Sequence, residues 1–359
     1  RALLEGDLRP VIEYAGRIAA TFGLSGDPLW RQNVAGRPVF DPIMAVLFYG
    51  GVVYSLWRWR DPRHTFLSLW LVTSTIPSLV TIDAPSSIRI INLLPVLMLF
   101  PLVFIHKALQ LSTLRDKLST ELVTRVITLS LATMAVYTAW STVNDLWRVW
   151  PRNEEVRFVW QAALTEAAAH LDQSPESGPV AIGGWTPDTM DPPTMELTLH
   201  RDDLALRYFD PTQSLVLPKG TGAESIRIVT PSALPLAPYL RQLVAGGGQP
   251  MGEFVVFELA GTPAIQPETA LARDFGGEVQ LLGYDTISGC EMGESCALAT
   301  YWQVLSVPTG PRRLFLHAVD GQGNLVDQDD RLGAPAEHWQ PGDIIVQMLT
   351  VGETTAELR

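Results

Sequence analysis

Four long apolar runs with almost no charge inside them dominate the first 150 residues. Their hydrophobicity is continuous rather than alternating, which indicates helices rather than strands. At ~1.5 Å of rise per residue, each run is long enough to cross, or nearly cross, the ~30 Å hydrocarbon core of a bilayer. The pattern therefore predicts a polytopic α-helical membrane bundle with four crossings, at about Pro42–Trp57, Thr65–Val80, Ile88–Ile105 and Leu122–Val143.

The connections between these runs differ in charge. The first and third connections each contain three Lys or Arg residues, whereas the second, 81–87, contains one acid and no Lys or Arg. Basic loops stay on the cytoplasmic side of a membrane. Four crossings then place residues 1–41 and 151–359 on the extracytoplasmic side of a multi-pass protein.

Residues 1–41 are predicted to form an amphipathic helix and then a loop, outside the membrane. Such a segment has to be exported, and the sequence shows no signal pattern ahead of it. We therefore expect this chain to be the C-terminal part of a longer polytopic protein.

Charge divides the chain at about residue 150. Residues 1–150 contain 14 Lys and Arg against 10 Asp and Glu, whereas residues 151–359 contain 12 against 28, for a net charge of −12 over the whole chain. Nucleic-acid binding requires a basic surface. The acidic second half therefore argues against a nucleic-acid partner.

The second half is predicted to hold two domains. Helical and strand patterns alternate over 151–260, which predicts an extracytoplasmic α/β domain. From 261 to 359 the pattern changes to short strands separated by turn signals, including Asp320-Gly321-Gln322-Gly323. Such spacing predicts an antiparallel β-sandwich of jelly-roll or immunoglobulin-like kind.

The two cysteines, Cys290 and Cys296, lie in the predicted sandwich with Gly293 between them. In an oxidising compartment they would close a small disulfide loop, and the alternative is a pair of free thiols. A zinc site is not expected, because no second Cys or His pair accompanies them.

An acidic motif and a set of three aromatic or His residues in the predicted sandwich can each be interpreted as a binding site or as ordinary structure. Asp327-Gln328-Asp329-Asp330 has the spacing of a metal-binding acidic pair, but its position after a hairpin strand favours a solvated turn. Trp302, His317 and Trp339 would suit a carbohydrate-binding surface, although such residues more often pack in a core or at an edge. The sequence identifies no cofactor and leaves open a divalent metal in the full-length protein.

Two outer loops supply the candidate binding residues. Trp30 and Arg31 lie in the first loop, which is either part of a substrate site or an interfacial anchor. Asp83 and Arg89 flank the start of the third run. Arg89 either pairs with Asp83 at the interface or faces the bundle, where its guanidinium would bind an anionic head group.

These loops resemble those of one group of bacterial membrane glycosyltransferases. The matching motifs are Gly26-Asp27-Pro28-Leu29-Trp30-Arg31-Gln32-Asn33, Gly36-Arg37-Pro38, Asp41-Pro42, and Asp83-Ala84-Pro85 with Arg89 and Pro95. The group is the GT-C superfamily, of the protein-mannosyltransferase and aminoarabinose-transferase-like kind (glycosyltransferase family 39). The C-terminal residues resemble the β-domain appended to some of its members.

The resemblance implies a multi-pass enzyme of the bacterial cell membrane that transfers a hexose or pentose. The donor would be a polyprenyl-phosphate sugar and the unknown acceptor would lie on the extracytoplasmic side. Arg89 would contact the lipid phosphate, and the catalytic acid would lie upstream of residue 1. Ser86 and Ser87 depart from the His-containing form of their loop. The alternative is a non-enzymatic, membrane-anchored surface protein whose β-sandwich binds carbohydrate or a protein partner.

Overall fold

A computed structural model describes residues 9–81, 84–110, 120–184, 191–220, 225–244, 246–290 and 295–353. The chain divides into two compact units, Arg1–Val156 and Arg157–Arg359. The first unit is helical and the second contains all the described strands. The predicted boundary at residue 260 falls inside the second unit.

The first unit is built from helices that coincide with the apolar runs. Two of them start at an Asp-Pro pair: Asp41 accepts hydrogen bonds from the backbone N–H groups of Ile43 and Met44, and Asp61 accepts one from that of Arg63. An Asp N-cap followed by proline at the first helical position favours helix initiation. The helices are α1 (Arg9–Thr21), α2 (Pro42–Trp57), α3 (Pro62–Leu79), α4 (Leu94–Leu97), α5 (Leu99–Gln110) and α6 (Thr120–Asn144), and a 3₁₀ segment, Ser87–Leu93, precedes α4.

The predicted bundle of four membrane crossings is wrong. Within the described residues, one helical segment, Ser87–Ala108, is long and apolar enough to cross a membrane, and a third of its apolar stretch is buried inside the protein. The helix α2 has 16 residues, so at ~1.5 Å per residue it is shorter than the ~30 Å hydrocarbon core. The helix α3 contains Arg63 and His64 in its first turn and Pro77 near its end. These residues lower its mean hydropathy below that of a membrane-spanning helix.

A cluster of aromatic rings forms the core of the first unit. Phe48 lies at its centre, with ring centroids 4.9 Å from Phe22, 5.2 Å from Phe40 and 5.5 Å from Phe100. The helices α2 and α5 approach closely at Gly51, where a Cβ atom would collide with the backbone carbonyl of Phe100. The missing side chain therefore permits this helix pairing.

The second unit contains two five-stranded sheets and a hairpin. The first sheet has the order β2-β1-β4-β6-β5, with β2, β1 and β4 parallel and the other pairs antiparallel. The second sheet is antiparallel, with the order β3-β12-β9-β8-β7. The strands are β1 (Val180–Gly183), β2 (Leu206–Phe209), β3 (Ser214–Leu217), β4 (Ile226–Pro231), β5 (Gln249–Pro250), β6 (Phe254–Leu259), β7 (Thr269–Phe275), β8 (Val279–Ser288), β9 (Ser295–Val304), β10 (Leu316–Val319), β11 (Leu325–Asp329) and β12 (Ile344–Glu353).

One hydrophobic core joins the two sheets. Ile228 and Phe257 of the first sheet and Val216, Tyr301 and Val346 of the second are all buried in it. A separate cluster packs the other face of the first sheet against helices. The helices of this unit are α8 (Ala162–Gln173), α9 (Pro192–Thr198) and α10 (Pro238–Leu243), and the short helix α7 (Glu154–Val159) crosses the boundary between the units. Because both sheets share one core and β3 pairs with β12, residues 151–260 and 261–359 do not form two independent hydrophobic cores.

Candidate functional site

The loop that contains Trp30 closes on itself between Gly26 and Arg37. The Gly26 N–H donates to the Gly36 carbonyl at 3.0 Å, and the Gly36 N–H donates to the Asp27 carbonyl at 2.8 Å. A Cβ atom at Gly26 would collide with the carbonyl of Arg37. Glycine is therefore required at position 26, where the two ends of the loop approach each other closely.

Asp27 joins this loop to the segment that contains Arg89. Its side chain is 1% exposed, and its carboxylate accepts hydrogen bonds from the backbone N–H of Leu29 at 2.9 Å and of Ser87 at 2.7 Å. Asn33 adds a hydrogen bond from its amide nitrogen to the Ser87 hydroxyl at 3.3 Å. A buried carboxylate satisfied by two backbone donors holds the two segments in a fixed relation.

The same loop is attached to the end of α6. Arg37 donates to the Ser141 hydroxyl at 2.8 Å and forms an ion pair with Asp145. The indole N–H of Trp150 donates to the Trp30 carbonyl at 2.8 Å. Asp145 begins a short π-helical turn, Asp145–Val149, directly after α6. Three sequence-distant parts of the first unit therefore meet at this loop.

The structure places three of the four predicted binding residues at this assembly. Trp30 is half-buried and Arg31 is exposed on the loop, and Arg89 is exposed two residues after Ser87. The Arg89 backbone N–H donates to the Ser86 carbonyl at 3.2 Å. Asp83 lies outside the described residues, so its predicted pairing with Arg89 stays a prediction.

Arg89 contributes an exposed cation to this assembly. Nothing in the described part of the chain forms a hydrogen bond or an ion pair with this side chain. A guanidinium presents several N–H donors in a planar fork that matches the oxygens of a phosphate or carboxylate. The assembly can therefore hold an anionic group next to a rigidly bonded loop.

The described residues include no candidate metal site. No three or more of their His, Cys, Asp or Glu side chains lie together so that they could hold a metal ion. Within the acidic motif at the end of β11, Asp329 accepts a hydrogen bond from the Thr350 N–H at 2.8 Å and Asp327 accepts one from the Gly352 N–H. These two carboxylates bind the neighbouring strand β12.

The three candidate carbohydrate-binding residues have different environments. Trp339 is 3% exposed and belongs to the shared core of the two sheets. Trp302 packs against Phe275 with ring centroids 5.3 Å apart, and His317 lies 3.5 Å from an Asp330 carboxylate oxygen. Because Trp339 is buried, the three side chains do not form one exposed aromatic surface.

Cys290 and Cys296 are joined by a disulfide, with their Cα atoms 4.3 Å apart. Cys296 is buried, and Ala318 and Val351 lie in the same small cluster. The bond connects the end of β8 to the start of β9.

The sequence contained no indication of two polar groups in the second unit, one of them buried and the other half-buried. Arg207 and Asp343 form an ion pair at 2.6 Å with both side chains almost completely buried. At the second group, the hydroxyls of Tyr239 and Tyr301 both donate to one oxygen of Asp285. Burial raises the pKa of Asp285, but the hydrogen bonds that it accepts outweigh this effect and leave its pKa below the usual value. Burial, together with the neighbouring Asp285, raises the pKa of Tyr239 to about 12.

A third polar group lies between β2 and a 3₁₀ turn, Ala336–His338. The ring centroids of Tyr208 and His338 are 4.7 Å apart. Burial lowers the pKa of His338, and the Tyr208 hydroxyl is buried with no hydrogen-bond partner in the described part of the chain. The sequence offers no periodic signal for these groups, because each includes at least one pair of residues 46 or more positions apart.

No protein-family model, curated protein or solved structure matches this chain. The resemblance to membrane glycosyltransferases therefore stays a prediction from sequence motifs.

Proposed function

We propose that this chain is part of a membrane glycosyltransferase that uses a polyprenyl-phosphate sugar as its donor. Arg89 binds the donor phosphate, and the loop with Trp30 and Arg31 forms the neighbouring wall of that site. Asp27 is a positioning residue, because its carboxylate accepts hydrogen bonds from backbone donors of both loops.

One observation supports this proposal above the others. The two loops that resemble the glycosyltransferases lie about sixty residues apart in sequence and are bonded to each other through Asp27 and Ser87. The exposed guanidinium of Arg89 lies on the bonded segment. A cation held on a fixed backbone suits a binding site for a phosphate.

Exposed apolar side chains on the first unit support contact with a bilayer. Large hydrophobic residues are exposed along α2, along Ser87–Ala108 and along α6, among them Val53, Leu102 and Leu129. Large apolar surfaces on a protein commonly mark contact with a membrane or with a protein partner. A lipid-linked donor would reach Arg89 from that bilayer.

The proposal predicts that Arg89→Ala lowers sugar transfer at least about ten-fold, because loss of a charge-assisted hydrogen bond to phosphate costs ~1.5–3 kcal/mol. The measurement uses the full-length protein in membrane vesicles with a radiolabelled polyprenyl-phosphate sugar. Arg58→Ala is the matched control, since Arg58 is also exposed but follows the far end of α2. The control is expected to retain wild-type transfer.

Unchanged transfer by Arg89→Ala would contradict the assigned role. Absence of transfer by the wild-type protein with every polyprenyl-phosphate sugar tested would favour the non-enzymatic alternative.

A further inference from the structure

A second, apolar site lies in the first unit between α1, α2 and α3. It is an open cleft of about 250 Å³. This volume exceeds that of an engineered ~150 Å³ apolar cavity that stays dry and holds a benzene molecule. The cleft is lined by Ala15, Ile18, Ala19, Phe22, Phe48, Tyr49, Val52, Leu71, Val72, Thr75 and Leu79.

The polar side chains of the lining are already hydrogen-bonded within the protein. The Tyr49 hydroxyl donates to the Ala19 carbonyl at 2.7 Å. The Thr75 hydroxyl lies 3.1 Å from the Leu71 carbonyl and 2.9 Å from the Val72 carbonyl, which are acceptors on its own helix. A polar ligand would lose its hydration in this cleft and gain few hydrogen bonds in return. The chemistry of the lining therefore selects a hydrocarbon.

The cleft opens onto an exposed apolar surface. Val72 belongs to the lining and is 53% exposed, and Leu69 and Ile76 on the same helix are also exposed. This surface is part of the apolar exterior that we assign to bilayer contact. A chain at the mouth of the cleft would therefore come directly from the surrounding lipid.

We propose that this cleft binds an acyl chain of a bilayer phospholipid. The proposal rests on the membrane contact in the proposed function and is independent of sugar transfer and of Arg89. An acyl chain suits the site because it is flexible, makes no hydrogen bonds and is the most abundant hydrocarbon next to α3. Its methylene groups would make van der Waals contacts with the apolar walls of the cleft, which lack contacting atoms on their open side.

The test uses the full chain reconstituted in phosphatidylcholine vesicles that contain a phosphatidylcholine with a diazirine at the end of one acyl chain. After photolysis, crosslinked peptides are mapped by mass spectrometry. We expect crosslinks on the segments that contain Ala19 and Thr75. Ala19→Phe and Ala15→Phe fill the cleft from α1 and are each expected to lower this crosslinking about ten-fold.

Gly16→Phe is the matched control. It adds the same ring to the same helix at an exposed position where a Cβ atom meets nothing within 4 Å, so it should crosslink as the wild type does. Wild-type crosslinking in both filling variants would overturn the proposal. Displacement of the probe by polyprenyl phosphate, but not by added unlabelled phosphatidylcholine, would assign the cleft to the donor chain and would also overturn it. Neither readout depends on catalysis, so failure here is distinct from failure of the proposed function.

Discussion

Replacing Asp343 with alanine is expected to lower the free energy of unfolding of the second unit by about 3–5 kcal/mol. Asp343 is completely buried and accepts hydrogen bonds from Arg207 at 2.6 Å and from the backbone N–H groups of Lys219 at 3.0 Å and Gln340 at 2.8 Å. The variant leaves the buried Arg207 guanidinium without its counter-charge and two backbone donors without acceptors. Because Arg207 lies on β2 and Asp343 precedes β12, the loss affects both sheets.

Hydrogen exchange in urea, read by mass spectrometry on the peptides that contain β2 and β12, measures this effect in the second unit. Asp203→Ala is the matched control, because Asp203 also pairs with an arginine but is half-exposed. Exposed ion pairs contribute little to stability, so the control should unfold at the same urea concentration as the wild type. Equal losses in the two variants would show that the buried pair has no special role.

Replacing Gly51 with valine is expected to separate α2 from α5. The new Cβ atom would collide with the Phe100 carbonyl, and backbone atoms cannot move away without displacing a helix. Overpacking a buried contact typically costs ~1–3 kcal/mol, and occasionally more. The central ring cluster of Phe48 and Phe100 would also lose its packing.

Thermal unfolding of the purified protein in detergent, monitored by circular dichroism, tests this expectation through a lower transition temperature. Gly16→Ala is its control. A Cβ atom at Gly16 meets nothing within 4 Å, and alanine is favoured over glycine within a helix by ~0.8–1.0 kcal/mol, so the control should unfold at the same or a higher temperature. A Gly51→Val protein as stable as the control would contradict the described helix contact.

The apolar runs of the sequence predicted where the helices of the first unit lie, but not which of them are long and apolar enough to cross a membrane. The Asp41-Pro42 pair marks where α2 begins, because capping is a local interaction. The number of membrane crossings was wrong because hydropathy also measures burial inside a protein. Leu93 and Phe100 are completely buried in the aromatic core of the first unit, so part of the third apolar run packs against protein.

The arrangement of the second unit depends on contacts that no local pattern encodes. The strand β3 pairs with β12 across about 130 residues, with Leu217 opposite Ile344. Short apolar runs indicate that strands exist but do not select their partners. The prediction therefore divided at residue 260 a unit whose two sheets share one core.

At the candidate site, the sequence likewise indicated residues within each loop but not the hydrogen bond that joins the loops. The motifs singled out Trp30 and Arg31 in one loop and Arg89 in another. The bond between the loops forms at Asp27, whose role no local pattern in its own motif indicates. Because this hydrogen bond joins residues sixty positions apart, only the folded chain reveals it.

Phosphate recognition at Arg89 is the central claim, and binding of polyprenyl phosphate to the purified full-length protein tests it most directly. The measurement compares the affinities for polyprenyl phosphate and for the uncharged polyprenol in the same detergent, by microscale thermophoresis. We predict that the wild-type protein binds the phosphate about ten-fold more tightly than the alcohol, and that Arg89→Ala abolishes this difference while Arg58→Ala retains it. Equal affinity of the wild-type protein for the phosphate and the alcohol would contradict the account.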